Sequence, residues 1–130
     1  MLDHLAIDVS DLGRSRRFYA AALAPLGYVV RREEEASVGF GVLAGEGRSL
    51  DPGGDFWIAA GAPRAPLVHF AFSAPSREAV DAFFRAALGA GGVDNGGPGL
   101  RPRYHPDYYA AFVIDPDGYT IEAVCHEGAD

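Results

Sequence analysis

Two histidines stand at matching places in the two halves of this sequence, and one glutamate stands near its end. His4 opens the segment HLAIDV, His69 opens the similar segment HFAFSA, and Glu122 lies in TIEAVC near the end of the chain. Large apolar residues alternate with small or polar ones in these segments, which predicts strands with one buried face. The alternation puts the three side chains on the inner face, opposite the apolar residues. A carboxylate there is costly without a partner, so the three residues are candidate partners for a metal ion or for one another.

A second group of candidates follows from the glycine-rich segment 91–107, which predicts a long loop. Long loops in compact domains are usually functional or disordered. His105 is the best candidate for a general acid or base, because histidine titrates near neutral pH. The alternative for His105 is a solvated loop residue. Arginine and tyrosine in and just after this loop are suited to an anionic or aromatic small molecule. The predicted substrate-binding residues here are Arg101, Tyr104, Tyr108 and Tyr109.

The elements that must position these residues form two copies of one module. Residues 4–27 align with residues 69–92 at an offset of 65, with seven identities in 24 positions. Each copy begins with a strand pattern, changes to helical spacing and ends at glycine. Asp11 and Ser76 align as predicted helix N-caps. Gly27 and the stretch 89–92 predict the helix ends.

Short strand patterns follow each predicted helix, so each copy predicts a βαβββ module. A turn signal, Asp115-Pro116-Asp117-Gly118, joins the last two strands. The second strand of the second module is unclear in the glycine-rich stretch. We expect one domain over residues 1–130, with modules at about 1–62 and 66–130. The predicted later strands are 28–32, 37–43, 55–60, 108–114 and 119–125.

Composition excludes several classes of protein. The 130 residues are 48% hydrophobic and 22% charged, which is typical of one globular domain and not of a disordered chain. The net charge of −7 disfavours a nucleic-acid partner. All bases are arginine, so lysine Schiff-base and P-loop chemistry are excluded. With one cysteine, Cys125, and neither a membrane span nor a signal-peptide pattern, we expect a cytoplasmic protein.

The sequence resembles the vicinal oxygen chelate superfamily, which includes glyoxalase I, extradiol dioxygenases, fosfomycin-resistance thiol transferases and bleomycin-binding proteins. The resemblance rests on the opening DHLAIDVSDLGRSRRFYAAAL, the second segment HFAF and the ending FVIDPDGYTIEAV. It implies an α+β fold in which two tandem βαβββ modules form curved sheets around a cleft. It also implies a homodimer and one divalent metal ion (Fe, Mn, Zn, Ni or Co) held by His4, His69 and Glu122.

One position departs from the pattern of that superfamily. Glyoxalase I has a fourth ligand, a carboxylate on the last strand of the first module, and the offset of 65 from Glu122 puts Trp57 there. This departure argues against a glyoxalase I reaction. The remaining 2-His-1-carboxylate set suits non-haem iron or manganese. Trp57 is instead a candidate to stack on an aromatic ligand, or a residue of the pocket wall.

Two functions of different classes remain open on these grounds. The first is a metal-dependent enzyme acting on a small oxygen-bearing molecule, in the manner of a dioxygenase, lyase or thiol transferase. The alternative is a metal-free protein that binds a drug or metabolite in the same cleft, which the acidic charge and Trp57 favour. The superfamily builds its site either within one chain or across two, and the resemblance allows both.

Overall fold

The computed structural model describes residues 1–128, and its elements follow the order of two βαβββ modules. The second strand of the second module, which is unclear from the sequence, is present in the glycine-rich stretch as two short strands of two residues each. No helix within residues 1–128 has the length and apolar character needed to cross a membrane. The first module contains β1 (Leu5–Val9), α1 (Leu12–Leu23), a short 3-10 helix (Ala24–Leu26), β2 (Tyr28–Glu33), β3 (Ser37–Val42) and β4 (Phe56–Ala60). The second contains β5 (His69–Ser73), α2 (Arg77–Gly89), β6 (Val93–Asp94), β7 (Gly99–Leu100), β8 (Tyr109–Ile114) and β9 (Thr120–Cys125).

Both helices begin at the capping residues that the sequence predicts. The Asp11 side chain accepts a hydrogen bond from the backbone N–H of Arg14, and the Ser76 side chain accepts one from Ala79. Each cap satisfies one N–H group that has no partner inside the helix. The first helical segment ends at Gly27, whose φ of 90° is readily adopted only by glycine.

The strands form two separate open sheets, one from each module. The first has the order β1-β4-β3-β2, and the second β5-β9-β8-β6 with β7 also paired to β8. In the first sheet Ala6 of β1 lies beside Trp57 of β4, and in the second Ala71 of β5 lies beside Glu122 of β9. Both pairs are related by the same offset of 65. Trp57 and Glu122 therefore occupy equivalent sheet positions, as the sequence alignment predicts.

One hydrophobic core runs between the helices and the two sheets. Ile7, Val9 and Phe72 are buried in it, on the sheet face that the sequence pattern assigns to the helices. Phe56 of the first module packs against Phe70 and Phe72 of the second, with ring centroids 5.5 and 5.2 Å apart. Each large side chain buried in this way contributes about 1.5–3 kcal/mol to the free energy of folding. The α+β fold with two βαβββ modules is confirmed.

A buried polar contact joins helix α1 to the turn of the last hairpin. Asp115 is 4% exposed and accepts hydrogen bonds from the backbone N–H groups of Asp117 and Tyr119, both at 2.9 Å. The hydroxyl of Tyr19, itself buried, donates to the other oxygen of Asp115. Burial raises the pKa of the Tyr19 hydroxyl and the pKa of the Asp115 carboxyl above their usual values. The turn that the sequence predicts therefore also connects the two modules.

Asp117 adds a second contact between the first module and the turn of the last hairpin, and this contact region is called the seam. It accepts hydrogen bonds from the backbone N–H of Ser10 at 3.1 Å and from Arg14 Nη2 at 3.2 Å. The Ser10 hydroxyl donates to the same carboxylate. The end of β1 and the first turn of α1 are thereby held against the β8–β9 turn, so that the two sheets keep a fixed relation.

Candidate functional site

The side of the second sheet that faces away from α2, called the open face below, carries a buried carboxylate. Glu122 is only 3% exposed, and its Oε1 lies 2.9 Å from Nε2 of His69. The hydroxyl of Tyr108 donates to the other oxygen of Glu122. Both carboxylate oxygens therefore have partners, as a buried charge requires. The structure brings three of the predicted site residues, His69, Tyr108 and Glu122, into one hydrogen-bonded group.

Phe112 belongs to this group although it is not among the site residues predicted from the sequence. It lies directly beside Glu122 in the β8–β9 hairpin, and its ring centroid is 5.9 Å from that of His69. The signal for it was present in the sequence. Because the Asp115–Gly118 turn fixes the hairpin register, it places Phe112 opposite Glu122 and on the same face.

Arg101 lies over the Phe112 ring, with its guanidinium carbon 5.3 Å from the ring centroid. Its Nη1 and Nη2 atoms donate to the carbonyls of Gly99 and Gly97 at 2.9 and 2.8 Å. These bonds restrain the guanidinium group beside the site. A restrained cation next to an aromatic ring is suited to an anionic group that approaches from the open face.

Tyr108 keeps its proton over a wide pH range. Burial, followed by the hydrogen bond to Glu122 and its charge, raises the pKa of the Tyr108 hydroxyl to about 12. The nearby charge of Arg101 acts in the opposite direction but does not offset these effects. Tyr108 is therefore a hydrogen-bond donor to Glu122 at neutral pH. Tyr104, which is exposed, packs beside it with ring centroids 4.8 Å apart.

Tyr109, which the sequence predicts as a substrate-binding residue, lies on the opposite face of the sheet. Its hydroxyl donates to Asp81 of α2 at 2.7 Å, and Arg77 of the same helix lies over its ring. The hydrogen bond to Asp81 raises the pKa of the Tyr109 hydroxyl. Because successive strand residues point to opposite faces, Tyr108 and Tyr109 cannot both reach the open face.

His105, the predicted acid or base, lies in the loop before β8 and pairs with another histidine. Its Nε2 is 2.8 Å from Nδ1 of His126, which follows β9. Its ring packs against the ring of Tyr108 with centroids 5.5 Å apart. His126 is not among the residues predicted from the sequence, and its partner in the structure is His105.

His4, the third predicted metal ligand, is exposed and pairs with its neighbour Asp3 at 2.8 Å. No three histidine, cysteine or acidic side chains converge on a possible metal position within residues 1–128. Within one chain the structure thus brings His69 and Glu122 together but does not bring His4 to them.

Trp57 lies on the equivalent face of the first sheet and is half-buried. Its indole ring packs on Gly39 and Gly53, and its ring N–H donates to the carbonyl of Gly54 at 3.2 Å. The structure therefore gives Trp57 a packing partner on one side of the ring and leaves part of the ring accessible.

The arrangement on the open face has a definite chemical capacity. One imidazole and one carboxylate are side by side, as two ligands of a divalent ion must be. A phenol stays protonated beside the carboxylate, and an arginine and a phenylalanine border the same face. Such a site can bind a cation together with an anionic, oxygen-bearing ligand.

Comparison with known proteins gives a consistent result over nearly the whole chain. A profile of the Glyoxalase/Bleomycin resistance protein/Dioxygenase superfamily matches residues 1–123. A glyoxalase/bleomycin resistance protein from Albidiferax ferrireducens T118 is 29% identical, with 96% of this chain and 98% of that chain covered and a TM-score of 0.77. No curated protein matches the chain significantly.

Two more distant solved structures show the same fold. A glyoxalase/bleomycin resistance protein/dioxygenase family enzyme from Burkholderia phytofirmans PsJN is 17% identical, covering 97% of this chain and 98% of that chain at a TM-score of 0.71. A glyoxalase-related enzyme from Fulvimarina pelagi is 15% identical, covering 96% of this chain and 87% of that chain at a TM-score of 0.68. At these identities the likeness concerns the fold alone.

Proposed function

Because the chain belongs to the glyoxalase/bleomycin resistance protein/dioxygenase superfamily, we propose that it is a metal-dependent enzyme acting on a small oxygen-bearing molecule. The observation that carries the proposal is the buried carboxylate of Glu122 beside His69 on the open face. The reaction is of the dioxygenase, lyase or thiol-transferase kind. A cytoplasmic location without a nucleic-acid partner fits the single cysteine and the net charge of −7.

The two residues fit a divalent ion by distance and by donor type. Ligand atoms about 2.0–2.2 Å from one ion and at a right angle to each other lie about 3 Å apart. His69 Nε2 and Glu122 Oε1 are separated by 2.9 Å. Imidazole with carboxylate is a donor set that iron, manganese, zinc, nickel and cobalt accept. A bound ion would supply Lewis acidity toward an oxygen of the substrate.

The third ligand in this proposal is His4 of the partner subunit in a homodimer. His4 directly precedes β1 and His69 begins β5, and each of these strands is at the edge of its sheet. An unpaired strand edge is a surface on which another chain can pair. Leu2 and Val68, just before these strands, are 80% and 47% exposed, and a second copy would cover such apolar side chains. A contact between β1 of one subunit and β5 of the other would bring the two histidines to one site.

The other residues of the open face bind and orient the substrate in this proposal. Arg101, held by two backbone carbonyls, attracts an anionic oxygen group. Phe112 and Tyr104 provide aromatic surface for an apolar part of the substrate. Tyr108 orients Glu122 through its hydrogen bond.

Metal content per chain, measured by mass spectrometry on untagged protein, tests the proposal. We expect near-stoichiometric metal in the wild type and its loss in Glu122→Gln. The matched control is Glu46→Gln, a carboxylate in an exposed loop, which should keep the metal. Absence of metal after reconstitution with each of the five candidate ions would overturn the enzyme proposal.

Mixed dimers test whether the site spans two subunits. His4→Gln and Glu122→Gln homodimers should each lack metal. A heterodimer of the two variants should regain one site in two, since one of the two sites then combines an intact His4 with an intact His69 and Glu122. No recovery in the mixed dimer would show that His4 does not act across the interface.

A second candidate function is metal-free binding of a drug or metabolite, and two observations favour it. Both oxygens of Glu122 already have protein partners, and Trp57 stands at the position equivalent to Glu122. Trp57 is the one tryptophan in the sequence, so its fluorescence reports directly on ligands at the first sheet. A ligand that quenches this fluorescence in metal-free protein, with no turnover, would support the binding function.

A further inference from the structure

A pair of histidines joins the loop before β8 to the end of β9. Nε2 of His105 lies 2.8 Å from Nδ1 of His126. The two rings are nearly parallel, with centroids 5.1 Å apart and planes inclined at 24°. The two residues are 21 positions apart in the chain, so the contact attaches the loop to the sheet that carries the candidate site.

The hydrogen bonds of the pair determine where its protons are. The backbone N–H of Asp107 donates to Nδ1 of His105 at 3.1 Å, so this nitrogen carries no proton. His105 must then hold its proton on Nε2 and donate it to Nδ1 of His126, which also carries none. Both imidazoles are therefore neutral. Adding a proton to either ring would cost one of these two bonds.

The pair encloses Tyr108, which touches the candidate site directly. The Tyr108 ring packs edge-on against His105 and His126, with centroids at 5.5 and 5.3 Å, and against Tyr104 at 4.8 Å. Its hydroxyl donates to Glu122. Three rings thus fix the position of the phenol, and the phenol fixes the carboxylate.

Few charged groups surround the pair. Asp107 follows His105 by two residues, and its Oδ1 lies 3.7 Å from Nη2 of Arg77 of α2, which partly balances its charge. Arg103 donates to the hydroxyl of Tyr104 at 2.9 Å, on the loop side. Glu127 follows His126 and is exposed. None of these groups makes a hydrogen bond to either imidazole through its side chain among the described contacts, so the two rings depend mainly on each other.

We infer that His105 and His126 form a positioning pair that holds Tyr108 against Glu122 only while both imidazoles are neutral. His105 then has a structural task at the site instead of the acid-base role that the sequence predicts. The effect on metal binding rests on the proposed function, whereas the attachment of the loop stands on the contacts alone. A proton added to Nδ1 of either ring would break one of the two hydrogen bonds, release the loop and loosen the orientation of Glu122.

Hydrogen exchange of the Asp107 and Tyr108 amides, expressed as protection factors between pH 8 and pH 5, tests the pair without any metal. In the wild type we expect protection to fall about tenfold over this range, the effect of losing about one hydrogen bond. His126→Ala should show the low protection at every pH. His126→Asn should restore the protection at pH 8, because its amide oxygen can replace Nδ1 as the acceptor.

The results that would overturn the inference are distinct from those that would overturn the proposed function. Wild-type protection in His126→Ala at pH 8 would show that the pair does not hold the loop. Equal wild-type protection at pH 8 and pH 5 would show that neutrality is not required. Metal affinity at pH 8 is the second readout, and we expect it to weaken several-fold in His126→Ala and to recover in His126→Asn. If no variant or wild type binds metal, the exchange experiment still decides the inference.

Discussion

Trp57 and Glu122 occupy equivalent positions in the two sheets, and their surroundings are opposite in character. Beside Trp57 on the neighbouring antiparallel strand lies Gly39, whereas beside Glu122 lies Phe112. In the first module a large ring rests on a glycine. In the second a carboxylate lies beside a large ring and bonds to His69 and Tyr108.

This difference separates a position that stabilises the fold from one that is suited to chemistry. The indole of Trp57 covers backbone and gains packing energy, because Gly39 and Gly53 leave room for it. Glu122 loses hydration on burial and needs hydrogen bonds to offset that loss. We therefore expect substitutions around Trp57 to change the free energy of unfolding and substitutions of Glu122 to change function.

Gly39→Ala should have the largest effect on stability. A Cβ at this position would lie 2.1 Å from the carbonyl oxygen of Gly53 and 2.7 Å from Cζ2 of Trp57. Backbone must move to relieve the first contact, so we expect a loss of about 3 kcal/mol in the free energy of unfolding, measured with urea. Gly47→Ala is the matched control, because a Cβ there meets nothing within 4 Å. If Gly39→Ala were as stable as the wild type, this would contradict the packing of the Trp57 indole on this glycine.

Tyr19→Phe should have the next largest effect, because it weakens the seam between the modules. The variant removes one of three hydrogen bonds to the buried Asp115. Bonds to charged groups contribute about 1.5–3 kcal/mol, and we expect a loss in this range at pH 7. If the remaining contacts of the seam still couple the two modules, unfolding of the variant should be a single transition. Fluorescence and circular dichroism should then give the same midpoint.

The same variant should also differ from the wild type in how its free energy of unfolding changes at alkaline pH. Burial raises the pKa of the Tyr19 hydroxyl, so above about pH 10 the unfolded chain releases a proton that the folded protein keeps. Stability should therefore fall as the pH rises, by about 1.4 kcal/mol per pH unit for this tyrosine. Tyr19→Phe lacks this contribution, so its stability should approach that of the wild type between pH 10 and 11. A constant difference over that range would show that Tyr19 keeps an ordinary pKa.

The sequence predicts the sheet positions well because they follow from local rules. Alternation alone puts Ile7 and Phe72 in the core, and the offset of 65 finds the equivalence of Trp57 and Glu122 that the strand registers confirm. The same rule puts Tyr108 and Tyr109 on opposite faces of the last hairpin, although both are predicted from the sequence as substrate-binding residues. Contacts between loops do not follow the alternation of a strand or the offset between the modules. The pairing of His105 with His126 depends on where the loop crosses the end of β9, which no local pattern encodes.

The position of His4 is a different case, because strand parity predicts its face but not its neighbours. The sequence predicts His4 within the first strand, whereas the residue lies just before β1, and the chain alone supplies it only with Asp3. In the proposed site its role would depend on a second subunit, and the geometry of such an interface is not contained in the periodicity of either module. The three-ligand site therefore stays a prediction that the mixed dimers described above can decide.

Glu122→Gln should have the smallest effect on stability, and so it provides the sharpest test of the contrast between Trp57, which stabilises the fold, and Glu122, which is suited to chemistry. The amide has the shape of the carboxylate, its oxygen can accept from the Tyr108 hydroxyl, and its N–H can donate to Nε2 of a neutral His69. Because every buried polar group keeps a partner, we expect the free energy of unfolding to change by less than about 1 kcal/mol in urea titrations. A loss of several kcal/mol would instead identify His69, Tyr108 and Glu122 as a polar cluster that stabilises the fold. Near-wild-type stability together with loss of metal would show that the second module carries Glu122 for its chemistry.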